Sequence, residues 1–267
     1  MIMSTGLLEL SACRLFLLDM DGTLYLGDDV FDGAVDFVNL LAEKSKKYIY
    51  LTNNSSRAGD DYVNRLRNLG FPCEKENVFT SSMAAIRYLR ENYAGKKVFT
   101  VCTTAFEEEL KRSGITLCKD NADVVLVGFD TELTYEKLDR AVHFLRHGAA
   151  FIAANPDLVC PMPKGEVLPD CGSICALLTA STGREPFYIG KPNRSMVDII
   201  SSMHGIPNSQ IACVGDRLYT DILVAKNAGA VSVLVMSGET DGRMLEASGI
   251  KPDFVFENVH ELGRAIK

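Results

Sequence analysis

The chain has no excess of positive charge. Its 28 Lys and Arg face 35 Asp and Glu, for a net charge of −7 over 267 residues. A nucleic-acid binder ordinarily carries a basic face, so that class is set aside. There is no apolar run of the ~20 residues that a membrane-crossing helix needs, and no membrane partner is expected. The opening residues, MIMSTGLLELSACRLFLLDMDG, lack a basic start, carry Glu9 early and run into two acids, so they read as folded protein rather than an export signal. The eight cysteines, Cys13, Cys73, Cys102, Cys118, Cys160, Cys171, Cys175 and Cys213, include no C-x-x-C pair. The four histidines, His143, His147, His204 and His260, sit at no zinc spacing. Scattered thiols of this kind suit a reducing cytoplasm. Internal repeats and low-complexity segments are also lacking.

What is present is an ordinary globular composition, 47% hydrophobic and 24% charged, with length enough for one large domain or two modest ones. Several short runs are apolar throughout: LFLL (15–18), YIYL (48–51), FYI (187–189), IACV (211–214), VSVLVM (231–236) and the end of DFVF (253–256). Such runs predict strands covered on both faces, as in a parallel sheet between helices. Amphipathic patterns lie between them. One holds Ala34, Val35, Phe37, Val38, Leu40 and Leu41. A second runs from Met196 to Met203, opened by Pro192 and closed by Gly205, and a third runs from about Asp221 to Gly229. Strand alternating with helix predicts an α/β, doubly wound, Rossmann-like sheet.

The order is interrupted after Ser81. A second α/β stretch has strands near 97–102, 123–129 and 151–154, and helices near 105–113, 134–147 and 172–181. It ends at the turn-rich Gly183-Arg184-Glu185-Pro186. Residues 81–186 therefore read as an inserted α/β cap domain, and 1–80 with 187–267 as one split core domain. The cap offers a surface for a homodimer contact.

Ligands of open α/β sheets bind beyond the carboxyl ends of the strands. LFLL is followed by Asp19 and Asp21, YIYL by Thr52, Asn53 and Asn54, FYI by Gly190 and Lys191, and IACV by Gly215, Asp216, Thr220 and Asp221. Four acids at one edge repel, each pair at 4 Å by about 4 kcal/mol at an effective dielectric near 20. Lys191 offsets one charge, and a divalent cation with hard oxygen ligands, best Mg²⁺, would offset two more. A lysine, a hydroxyl and an uncommitted carboxylate beside such a cation suit phosphoryl chemistry through an aspartyl-phosphate. Asp21, two residues on and kept protonated by its anionic neighbours, could carry the proton.

These residues resemble the four motifs of the haloacid dehalogenase (HAD) superfamily, in order: Asp19-x-Asp21-Gly22-Thr23, Thr52-Asn53, Lys191 and Gly215-Asp216-x3-Thr220-Asp221. LTNNSSR (51–57), AANPD (153–157), GREPFYIGKP (183–192) and VGDRLYTDI (214–222) are similar to the NagD-like, p-nitrophenylphosphatase-type branch with an inserted cap. The resemblance implies that Asp19 is nucleophile and Mg²⁺ ligand. Asp21 would be general acid, then base, with its carbonyl on the metal. Thr52 and the Asn53 amide would hold phosphoryl oxygens, Lys191 would neutralise charge, Asp216 would bind Mg²⁺, and Asp221 would stand behind it. Asn155 and Asp157 fall on a cap loop that would meet a small phosphorylated metabolite. Ala225 departs from the family pattern, which often has glycine there.

Plainer readings stand beside these. Asn54, Ser55 and Ser56 suit a polar turn, Asp221 could cap the following helix, and Glu107 to Glu109 read as a solvated face. His143 and His147 are one helical turn apart with no third ligand, and read as structural. The expected activity is a cytoplasmic, Mg²⁺-dependent phosphatase of small monoesters. Phosphomutase or phosphotransferase chemistry on the same core, and a non-catalytic binding protein on the scaffold, are the alternatives.

Overall fold

The structure, a computed structural model, describes residues 10–162 and 166–266. The chain divides into two compact units. One holds residues up to Thr52, Val63–Phe79 and Lys191 onward, and the other holds Asn53–Tyr62 and Thr80–Gly190.

The first unit is built on a six-stranded sheet in the order Phe254–Phe256, Val231–Val235, Ile211–Gly215, Leu15–Leu18, Lys47–Thr52, Val78–Thr80. Leu15–Leu18 is parallel to both neighbours, with Leu18 level with Val214 on one side and Tyr50 on the other. From this central strand the chain winds outward in both directions, the doubly wound order expected. All four residues of Leu15–Leu18 are buried, and each such side chain contributes about 1.5–3 kcal/mol over an exposed one. The helix Ala34–Glu43 buries Ala34, Phe37, Val38 and Leu41, one face at helical spacing. Phe37 meets Phe16 edge-on, at 6.4 Å between ring centres. The helices Ser195–His204 and Leu223–Ala228 both stop at glycines with positive φ, Gly205 and Gly229.

The second unit has a five-stranded parallel sheet in the order Phe187–Tyr188, Ala150–Ala153, Val124–Val127, Lys97–Val101, Thr116–Leu117. Its helices Thr104–Arg112, Tyr135–Arg146 and Cys171–Thr182 start at the side chains of Thr103, Thr134 and Asp170, each accepting a main-chain N–H.

Four expectations change. The sequence places the FYI run in the core sheet, but Phe187–Tyr188 pairs with Ala150–Ala153 in the second sheet, and Phe187 stacks on Tyr88 at 5.1 Å. Both sheets are parallel and apolar, so a short run does not reveal which it joins. Residues 53–62 also pack with the second unit: Ser55 Oγ accepts from Phe129 N, and Thr103 Oγ1 donates to Ser56 O. The helix expected to open at Pro192 begins at Ser195, whose N–H is taken by Asn193 Oδ1 at 3.0 Å. Lastly, Glu107 to Glu109 is not simply a solvated face. Glu107 accepts from Thr100 Oγ1 at 2.6 Å, and burial pushes the Glu109 carboxyl above its usual range.

Two short antiparallel ribbons had no clear pattern: Tyr25–Leu26 with Asp29–Val30, and Val159–Pro161 with Val167–Pro169. Two or three residues carry too little periodicity to read.

Candidate active site

Asp19 leaves the carboxyl end of the central strand, its N–H donated to Val214 O at 2.9 Å. Asp216 leaves the neighbouring strand Ile211–Gly215, Thr52 ends the strand on the other side, and Lys191 opens the last segment of the unit. Lys191 is 4% exposed at its side chain. Its Nζ donates to Asp19 Oδ1 at 2.5 Å, to Asp221 Oδ1 at 2.6 Å and to Leu51 O at 3.5 Å. Thr23 Oγ1 lies 3.3 Å from Asp216 Oδ1 and 3.5 Å from Asp19 Oδ2. Glu239 N donates to Asp216 Oδ2 at 2.7 Å, and Arg217 N to Asp221 Oδ2 at 3.1 Å. Asp221 sits inside the wide turn Leu218–Ile222, not at the start of the helix Leu223–Ala228, so it is no helix cap.

Two glycines let the acids come this close. A Cβ on Gly22, whose φ is +85°, would stand 2.5 Å from Asp216 Oδ2. A Cβ on Gly215 would stand 2.3 Å from the Asp221 side chain. Either substitution would push a carboxylate out of place.

Among the described residues, Asp19, Asp216 and Asp221 present carboxylate oxygens that all lie within 4.8 Å of one another. Three carboxylates against one ammonium leave an uncompensated negative charge in a buried place. Hard oxygens with spare lone pairs in that arrangement fit a divalent cation.

The electrostatics follow from burial. Burial pulls the Lys191 ammonium down, but Asp19 and Asp221 more than offset it, so it stays charged. Burial raises the Asp19 carboxyl well above the usual range, with Asp221 adding, Lys191 opposing and Asp216 adding. Burial pushes Asp216 up to about 6, with Asp221 adding and the Glu239 N–H, Arg217 and Lys191 opposing. An unfolded Asp titrates near ~3.9. Between that value and about 6, the folded protein keeps a proton on Asp216 that the unfolded chain has released. The stability this contributes is complete below about pH 4 and is lost as pH rises through the folded value. A shift of two units is worth about 3 kcal/mol. In chelator, Asp216→Asn is therefore expected to gain on wild type by about 2–3 kcal/mol between pH 4 and 7. Urea melts across that range check it. A constant difference between the two proteins would contradict the burial account.

Three further expected site residues, Asn53, Asn155 and Asp157, lie in the second unit. Asn53 donates to Asp157 Oδ2 at 2.8 Å, and Asn155 donates to the same oxygen at 2.9 Å and to Asp170 Oδ1 at 3.1 Å. Asn155 is fully buried and its Oδ1 accepts from Ser55. Its amide is thus engaged on both sides, which makes it a brace for the loop that carries Asp157. Asp21 is exposed, unlike the buried Lys191, Asp216 and Asp221 and the partly buried Asp19. Thr23, Gly22 and the Glu239 main chain are additions. Thr23 and Gly22 were within the quoted D-x-D-G-T run, whereas nothing in the letters around Glu239 marks it.

Comparison with known proteins gives a consistent set of matches. Residues 16–116 match the haloacid dehalogenase-like hydrolase family, and residues 188–262 match the HAD-hydrolase-like family. The chain is 33% identical over 246 residues to the 5'-nucleotidase YutF of Bacillus subtilis, covering 92% of this chain and 96% of that protein. It is also 33% identical to an acid sugar phosphatase of Staphylococcus haemolyticus, over 92% of this chain and 93% of the other. Among solved structures, a 4-nitrophenylphosphatase from Thermotoga maritima shares 43% identity over 97% of this chain and 99% of its own, with a TM-score of 0.93. NagD from Escherichia coli K-12 shares 31% identity over 93% and 98%, with a TM-score of 0.87.

Proposed function

Since the chain belongs to the haloacid dehalogenase-like hydrolases, in their NagD-like branch, we propose that it hydrolyses small phosphate monoesters in the cytoplasm, with Asp19 as nucleophile and Mg²⁺ as cofactor. It is a phosphoric monoester hydrolase, as its phosphatase-named relatives support. No described helix is long and apolar enough to cross a membrane. The observation that carries the mechanistic reading is the Lys191 ammonium, shared between Asp19 and Asp221 with Asp216 alongside.

In the proposed reaction, an Asp19 carboxylate oxygen forms a bond to phosphorus and the bond to the leaving oxygen breaks. Asp21 gives that oxygen its proton. Water then attacks phosphorus, Asp21 takes the proton back, and Asp19 is released. Lys191 holds one oxygen of Asp19 and keeps the carboxylate oriented. Thr52, with the main-chain amide of Asn53 next to it, is assigned to the phosphoryl oxygens. The exposure of Asp21 suits a group that must exchange protons with water. Asp19, Asp216 and the Asp21 carbonyl would hold Mg²⁺. Bound there, the ion would offset the charge that otherwise repels an anionic ester. Asp221 would steady Lys191 and the ion from behind. Asp157 is assigned to substrate binding.

A phosphate-release screen over sugar phosphates, nucleoside monophosphates and p-nitrophenyl phosphate, with and without Mg²⁺, tests the function. Turnover is expected only with metal. Asp21→Asn should cost about 10²- to 10⁴-fold on sugar phosphates and far less on p-nitrophenyl phosphate, whose leaving oxygen needs little protonation. An equal loss on both substrates would remove Asp21 from the acid role. Isomerised sugar phosphate without free phosphate would favour a mutase.

A further inference from the structure

We propose that Glu239 is a positioning residue for Asp216: its carboxylate, clamped by Arg217 and Tyr219, holds its own main-chain N–H against Asp216 Oδ2. The inference rests on the phosphatase reading only in giving Asp216 a cation to hold.

The segment after the strand Val231–Val235 closes over Asp216. Ser237 Oγ donates to Gly22 O at 2.9 Å. A Cβ on Gly238 would lie 2.1 Å from Asp216 Oδ2 and 2.6 Å from Gly22 O, so only glycine allows the chain to pass there. Glu239 N then donates to Asp216 Oδ2 at 2.7 Å, and Thr240 N to Asp216 O at 3.2 Å. Asp216 is gripped at its side chain and at its main chain by consecutive residues.

The Glu239 side chain turns back to the stretch that follows Asp216. Its Oε2 lies 2.9 Å from Arg217 Nε, an ion pair without hydrogen-bond alignment, and its Oε1 accepts a hydrogen bond from Tyr219 OH at 2.7 Å. This closes a ring: Asp216 to the Glu239 main chain, through the Glu239 carboxylate to Arg217 and Tyr219, and along the chain back to Asp216. Thr23 Oγ1 holds the other oxygen of Asp216 at 3.3 Å. One donor on each oxygen fixes the carboxylate plane and leaves a lone pair on each for a cation. Without the clamp, the N–H stays in the chain but its place is no longer enforced.

Outer partners of metal ligands typically change metal affinity by about 10- to 100-fold. The Glu239 side chain is 36% exposed, so the low end, about tenfold, is expected for Glu239→Ala. Turnover at saturating Mg²⁺, and KM for p-nitrophenyl phosphate, should stay within about twofold. Glu239→Gln, which keeps one acceptor, should fall between. Tyr219→Phe, at a half-exposed ring, should weaken binding about two- to threefold, and combining it with Glu239→Ala should add nothing further.

The direct readout is Mn²⁺ binding to the metal-free full chain, followed by electron paramagnetic resonance of the free ion, with the Mg²⁺ half-saturation of turnover alongside. Thermal melts confirm that each variant is folded. A weakened Mn²⁺ affinity with unchanged saturated turnover supports the clamp. Wild-type metal binding that Glu239→Ala leaves untouched, or lost turnover at unchanged affinity, overturns it while the phosphatase reading stands. Absence of Mn²⁺ binding in wild type would overturn the clamp, whereas the phosphatase reading falls only if wild type releases no phosphate with Mg²⁺.

Discussion

Asp19→Asn is expected to abolish turnover, by at least about 10⁴-fold on every monoester, while leaving the protein folded. The amide cannot form the bond to phosphorus, and no other described acid stands at the carboxyl end of the central strand in the same contact with Lys191. The fold should tolerate the change. The Asp19 side chain is 15% exposed, and its partial burial already raises its carboxyl well above the usual range. An amide removes the charge that causes this, keeps an acceptor for the Lys191 Nζ, and leaves that ammonium its second partner, Asp221 at 2.6 Å. The melting temperature should match or exceed that of wild type. Residual turnover within about tenfold of wild type would mean that another group attacks phosphorus.

Lys191→Met should harm both stability and rate. The side-chain volume is nearly kept, so packing is not the issue. What is lost is, among the described residues, the one cation hydrogen-bonded to both Asp19 and Asp221, in a place where it is 4% exposed. Breaking a buried pair by removing one partner costs about 3–5 kcal/mol, because the remaining charges are left without compensation. That cost should shrink at low pH, where a proton can replace the ammonium, and on addition of Mg²⁺. Turnover at saturating Mg²⁺ should fall by about 10²- to 10³-fold, as for other removed charge stabilisers. Urea melts at pH 5 and pH 8 with and without the ion separate these effects. A variant within about 1 kcal/mol of wild type at pH 8 in chelator would show that the charges had found another partner.

Most of the fold could be read from the letters where runs were long enough to carry a period. LFLL and IACV announced buried parallel strands, whereas their pairing side by side shows only in the register of the sheet. The helix Ala34–Glu43 was legible from its apolar face, and Tyr135–Arg146 lies where the pattern near 134–147 placed a helix. FYI was not, since it is short and equally suited to either sheet. Its true partner is the strand Ala150–Ala153, settled by packing against Tyr88 and by register.

At the site, the acids and Lys191 were marked by residue type and by their position after strands. Asn155 was marked too, but its letters could not tell a loop brace from a ligand. Only its burial and its bonds to Ser55, Asp157 and Asp170 reveal the brace. Glu239 was illegible for another reason. It reaches Asp216 through a main-chain N–H, which every residue but proline has, so no residue type advertises the role.

The most direct test of the central claim is a rapid acid quench during turnover with Mg²⁺, followed by mass spectrometry of the peptide that contains residue 19. The account predicts a phosphoryl adduct on Asp19 that appears within the first turnover and is missing in Asp19→Asn. Full turnover with that peptide never modified, or with the adduct on another residue, would contradict it.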